Sequence, residues 1–112
     1  IDIRVVVIGK INKNINEQKI SLLINTLLDS VIIISKKHYC KDVDFSIEVN
    51  ENNKQLSIKV INYCSIISEN NNLNFINDLE LNKLKKICKE INAEFYQAVS
   101  NDEIVTLLII KY

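Results

Sequence analysis

Ile20-Ser21-Leu22-Leu23-Ile24-Asn25-Thr26-Leu27-Leu28-Asp29-Ser30-Val31 is the stretch on which the fold turns. Its apolar positions Ile20, Leu23, Ile24, Leu27, Leu28 and Val31 recur at i, i+3, i+4, i+7, i+8 and i+11, one face of an amphipathic helix. The helix is expected over about 15–35, and its all-apolar end Val31-Ile32-Ile33-Ile34 should be covered on more than one side.

Before it, Ile1 to Gly9 is β-branched, partly alternating and stops at the only glycine, which reads as a strand. After it, Val43, Phe45, Ile47 and Val49 alternate with Asp44, Ser46 and Glu48, and Leu56, Ile58 and Val60 repeat the pattern beyond the polar turn 50–55. These two runs form a hairpin with one wet face. Residues 64–77 show no period and read as a long loop. Asn77 with Glu80 resembles a capping pair, and Leu81, Leu84, Ile87, Cys88 and Ile91 make the stripe of a second helix over about 79–92. Its Lys85, Lys86 and Lys89 read as a solvated face near the negative end of the helix dipole. A final hairpin joins 94–99 to 104–112, and Val105 to Ile110, apolar on both sides, reads as a central strand covered on two faces. The fold class expected is α/β (α+β), a two-layer sandwich with helices on one face of a mixed, mostly antiparallel sheet.

The 112 residues suffice for one domain with one core. Fourteen basic against fourteen acidic side chains leave no field to draw in nucleic acid or an anionic membrane, so neither is expected as a partner. No run is read as approaching the roughly 18 apolar residues of a membrane span, and a cytoplasmic chain is expected. A chain that opens on Ile1 and holds no methionine is expected to be a piece of a longer protein. The isoleucine, asparagine and lysine enrichment is composition bias, and runs such as Asn70-Asn71-Asn72 are discounted.

Cys40, Cys64 and Cys88 are wide apart and contain no C-x-x-C pair, which points to a reduced chain without a zinc site. Cys88 sits on the apolar side of the second helix and reads as core. His38, in Lys36-Lys37-His38-Tyr39, reads as an exposed loop histidine rather than a metal ligand or phosphoacceptor.

The element order, with a long loop between the middle hairpin and the second helix, resembles the ATP-binding domain shared by histidine kinases, type II topoisomerases and Hsp90 chaperones, the GHKL or Bergerat fold. Leu22 to Ile32 resembles the kinase helix signature L-x-x-N-L-L-x-N-A-I. Leu56 to Ile67 resembles the strand entering D-x-G-x-G-I, and Leu79 to Phe95 the closing helix. The resemblance implies an ATP site whose positions here are Asn25, Asp29, Asn62, Cys64, Ile66 and Asp78. It also implies what has been lost. Asp29 stands where the family's magnesium-binding asparagine would be, although aspartate also ligates magnesium. Asn62, Cys64 and Ile66 replace the adenine-binding aspartate and the two glycines that let backbone approach the base. Asn77-Asp78-Leu79-Glu80-Leu81 replaces a glycine box that cradles phosphates, with acids where anions should bind. The expectation is therefore a retained fold without an ATP pocket, with no catalytic residue and no cofactor in this chain.

Among relatives with such decay, Lys19 to Ser30 is similar to the helix K-L-x-L-N-L-L-x-x-A of the alphaproteobacterial cell-cycle histidine phosphotransferases. That resemblance implies response-regulator receiver domains and a hybrid kinase as partners, magnesium at the receiver, and a homodimer through an N-terminal helical hairpin outside this chain. Two rivals stand beside it. One is a divergent sensor kinase with Asn25, Asp29 and Asn62 still in service; the other is a non-enzymatic interaction scaffold.

Overall fold

The computed structural model describes residues 1–10, 17–64, 78–100 and 102–112, with the side chains of 37, 38 and 78–81 excepted. Strand β1 (Asp2–Ile8) leads to helix α1 (Glu17–His38), then β2 (Cys40–Asn50) and β3 (Gln55–Cys64), helix α2 (Asp78–Glu90), and the closing pair β4 (Ala93–Val99) and β5 (Glu103–Lys111). The five strands form one sheet in the order β1-β2-β3-β5-β4. Only the β1–β2 pairing is parallel, because α1 provides the crossover; the remaining three are antiparallel. The mixed two-layer class expected from the sequence is the class observed.

Period-2 alternation decides which face is dry. Val43, Phe45, Ile47 and Val49 of β2, Leu56, Ile58 and Val60 of β3, and Ile104, Leu108 and Ile110 of β5 are all buried. Against them α1 lays Ile20, Leu23, Leu27, Val31 and Ile34, at spacings of three and four that hold one helical face, and α2 adds Leu84 and Cys88. The core is this layer between helices and sheet.

The helix runs three residues beyond its expected end, so His38 is the last residue of α1 rather than part of a loop. Tyr39 then takes φ 56°, the left-handed turn that stops a helix. Basic residues 36–38 suit a helix C-terminus, which accounts for the extension. Both central strands are longer than their alternating cores suggest, β3 continuing through Ile61, Asn62, Tyr63 and Cys64. The expected loop therefore loses Cys64 to β3, and residues 65–77 lie outside the described residues, as do the side chains of the Asn77–Glu80 capping pair. The hairpin turn is closed by Asn50 Oδ1 accepting from the Asn53 amide at 3.2 Å, with Lys54 at φ 49°.

Two expectations fail for physical reasons. Val105, Leu107 and Ile109 are only half-buried, on the face that carries no helix among the described residues. Their apolarity is met within the sheet by flanking neighbours, Ile61 and Ala98 beside Val105, and Lys59 and Tyr96 beside Leu107. In addition, Glu17–Lys36 is by length and composition alone long and apolar enough to cross a bilayer. Here its apolar side is spent on the sheet, which lies against α1 along β2 and β3.

Gly9 leaves β1 at φ 88°, and a Cβ built there would lie 2.9 Å from the Val49 carbonyl oxygen. The single glycine thus serves a close backbone crossing at the sheet edge. Leu23 is fully buried between α1 and the sheet. Leu23→Ala is expected to lower unfolding free energy by about 2–5 kcal/mol, read from urea denaturation, with no change in far-UV circular dichroism of the folded state.

Candidate functional site

The inward row of β3 is Leu56, Ile58, Val60, Asn62 and Cys64, so the same alternation that builds the core carries an amide and a sulfur into it. Asn62 is completely buried. Its Nδ2 donates to Ser35 Oγ of α1 at 3.1 Å, a contact between two groups both shut away from water. Its Oδ1 is buried with no hydrogen-bond partner among the described residues. Leaving such an acceptor unmatched costs on the order of 1–3 kcal/mol. The side chain is thus anchored at one end and open at the other.

Two residues on, Cys64 faces Cys40 in the β2–β3 register, with Cα atoms 4.1 Å apart, and the two sulfurs are joined in a disulfide. This corrects the expectation of three reduced cysteines. A separation of 24 residues in sequence gives no hint of the pairing; only the register across the hairpin does. Cys88 is the free cysteine, buried on α2, and burial pushes its thiol pKa up, so it is a neutral core side chain as expected.

On α1, Asn25 and Asp29 are exposed, one turn apart, on a stripe shared with Leu22, Ile32 and Lys36. The intervening hydroxyls turn inward and bond their own helix, Thr26 Oγ1 donating to Leu22 O at 2.8 Å and Ser30 Oγ to Thr26 O at 3.0 Å. The residue of α1 that meets Asn62 is Ser35, which lies ten positions beyond Asn25, an axial rise of roughly 15 Å. Asp78 is the first residue of α2, and Ile66 lies outside the described residues. The structure therefore gathers Asn62 and Cys64 on one row of β3 and sets Asn25 and Asp29 on an outer stripe. Among the described residues no group of three or more histidine, cysteine, aspartate or glutamate side chains is placed to hold a metal ion.

A second polar cluster lies on the helix-free face of the sheet, back to back with Asn62. Tyr63 donates its hydroxyl to Asp44 Oδ2 at 2.8 Å. Arg4 Nε donates to Asp44 Oδ1, and the guanidinium stands 5.9 Å from the centre of the Tyr63 ring. The Tyr63 hydrogen bond and then Arg4 hold the Asp44 carboxyl below its usual range, and the same Asp44 bond raises the Tyr63 pKa. Sequence reading missed this trio because its members come from β1, β2 and β3. Alternation alone could have placed the three on one face, but only the register brings them together.

The architecture described here, two helices on one face of a β1-β2-β3-β5-β4 sheet, is the fold of histidine kinase catalytic domains. Among solved structures it is similar to the histidine kinase domain of the blue-light-activated histidine kinase from Erythrobacter litoralis, with a TM-score of 0.72 and 14% identity. That likeness covers 97% of this chain and 53% of the other, so the chain spans about half the length of the structure it matches. The histidine kinase AdeS of Acinetobacter baumannii gives a TM-score of 0.69 at 11% identity, over 98% of this chain and 53% of that one. A nucleotide-free catalytic domain of the histidine kinase ThkA gives 0.63 at 13%, covering 98% and 78% respectively. No protein-family profile and no curated protein matches the sequence.

Two outcomes are expected from the site geometry. Alkylation of the denatured, unreduced protein should tag one thiol, Cys88, and after reduction all three cysteines, as read by intact mass; three tags without reduction would show the pair unbridged. Because the folded-state pKa of Asp44 is depressed, its stabilising effect is present above the unfolded aspartate value and is lost as pH falls through the folded value. Asp44→Asn should therefore flatten the acid limb of a stability–pH profile below about pH 4 while sparing Tyr63, whose hydroxyl keeps an amide oxygen as acceptor. The effect is small because the cluster is solvent-exposed.

Proposed function

We propose that this chain is a histidine-kinase-like domain of a two-component phosphorelay that no longer binds ATP, and that it serves a histidine phosphotransferase. The observation that carries this reading is the Cys40–Cys64 bridge. Cys64 stands where the resembled kinases have a glycine that lets backbone close on the base, and here that position carries a side chain tied across the sheet. The neighbouring Asn62, in place of the adenine-binding aspartate, is already committed at Nδ2 to Ser35. Asp78 at the start of α2 adds negative charge where phosphates would sit.

In this reading a histidine on a helical hairpin outside these 112 residues carries the phosphoryl group. It passes that group to a receiver aspartate, with magnesium held at the receiver partner and positioning supplied by the interface. The domain contributes surface for receiver domains and a hybrid kinase, and no catalytic group. The setting proposed is the cytoplasm, where disulfides are rare; with the bridge reduced, the Cys64 side chain would still occupy the position of the glycine. A homodimer would form through the hairpin.

The runner-up is an ATP-binding catalytic domain of a divergent sensor kinase. One observation favours it: Asn62 Oδ1 is a buried acceptor without a partner, able to take a hydrogen bond from an exocyclic amine. Calorimetric titration of the chain with Mg-ATP separates the two. No heat of binding up to millimolar nucleotide is expected, whereas a micromolar Kd abolished by Asn62→Ala would overturn the proposal in favour of the kinase.

A further inference from the structure

The Cys40–Cys64 bridge lies at the very end of the β2–β3 ladder. Cys40 is the first residue of β2 and Cys64 the last of β3. The register shifts between Cys40 and Asp42, so the bridge stands outside the regular pairing that runs from Asp42–Tyr63 to Asn50–Gln55. The same corner holds the end of α1. Tyr39, at φ 56°, is the one residue between His38 of α1 and Cys40, and Ser35, in the last turn of the helix, accepts the Asn62 hydrogen bond at 3.1 Å. Bridge and hydrogen bond together close a ring. It runs along the chain from Ser35 to Cys40, across the sulfurs to Cys64, back through Tyr63 to Asn62 and over to Ser35. Without the sulfur–sulfur bond the ring depends on hydrogen bonds.

The reduced state fits the same corner. Both cysteines are buried, where thiols pack as small apolar groups, and the ladder from Asp42–Tyr63 onward does not pass through them. A reduced Cys64 also finds an acceptor in place. Its Sγ lies 3.6 Å from the Asn62 carbonyl oxygen, a contact that a bridged sulfur, having no proton, cannot use as a donor. We propose that Cys40 and Cys64 are a reversible dithiol–disulfide pair: oxidation fastens the last turn of α1 to the end of β3, and reduction loosens it. The oxidant is a low-molecular-weight disulfide. One cysteine thiolate attacks it, releasing one small thiol and forming a mixed disulfide; the other cysteine, its proton lost to solvent, then displaces the second small thiol. Two cysteine thiols and one small disulfide thus become one protein disulfide and two small thiols. A dithiol reverses the exchange and is itself oxidised to a disulfide. Access comes by fraying, since a terminal pair outside the regular ladder opens at far lower cost than the middle of the sheet. The pair acts so whether or not the domain serves a phosphotransferase.

The test cycles the native chain, without denaturant, between excess dithiothreitol and oxidised glutathione. Thiols are counted by intact mass after alkylation in denaturant, and backbone amides are followed by hydrogen exchange in each state. Three tags are expected after dithiothreitol and one, on Cys88, after oxidised glutathione, over repeated cycles and with the same far-UV circular dichroism throughout. Amides of residues 36–41 should exchange at least about 10-fold faster in the reduced form, while those of residues 56–60, in the middle of β3, stay within about twofold. Cys40→Ser should show the fast exchange at residues 36–41 in both buffers. A bridge that survives excess dithiothreitol in the native protein overturns the proposal, because the link is then purely structural. So does loss of the fold on reduction, or exchange at residues 36–41 that is the same in both states.

Discussion

The constraint on which the rest depends is the register of β3. It is hydrogen-bonded along its length to β2 on one side and β5 on the other, and its inward row supplies the floor on which α1 rests. A slip of one residue would turn Leu56, Ile58 and Val60 out to water and drive Ser57, Lys59 and Tyr63 into the core. The same slip would undo the Asn62–Ser35 bond, the Cys40–Cys64 bridge and the Tyr63–Asp44 bond together. Core packing, the two polar pairs that cross from β3 to α1 and β2, and the covalent link are thus one choice made once.

That dependence explains what could be read from the sequence. Elements with a strong internal period were legible: the α1 stripe from Ile20 to Val31, the alternating cores of β2 and β3, the Leu84–Cys88 face of α2. The kinase-like order followed from them and proved to be the fold. What escaped reading were facts that live between elements. Nothing local in Cys40 or Cys64 announces the other, since their meeting follows from the β2–β3 register. Val105, Leu107 and Ile109 misled in the opposite way, because a run apolar on both faces does not distinguish cover by a second layer from cover by lateral neighbours. His38 was lost to a boundary, where charge at a helix end extended α1 past its apolar pattern.

At the proposed site the same division holds. Asn62 and Cys64 could be singled out by their place in a motif, yet their state could not: one is half-anchored to Ser35, the other covalently bound. Asn25 and Asp29 keep the one-turn spacing of the resembled helix signature while facing outward on the stripe of Leu22 and Ile32.

The parallel pairing of β1 with β2 has a consequence for how the molecule is assembled in time. Its partners lie 40 residues apart, as in Asp2 and Asp42, whereas β2–β3 and β4–β5 are hairpins closed by short turns. Hairpins form in microseconds and long loops close late, so β1 should be the last strand to join the sheet. Because its side chains bury so little, it should also be the first to leave, and its amides should exchange with solvent through local opening while those of β3 wait for global unfolding. The strand that begins the chain would then be the one whose docking completes the native state.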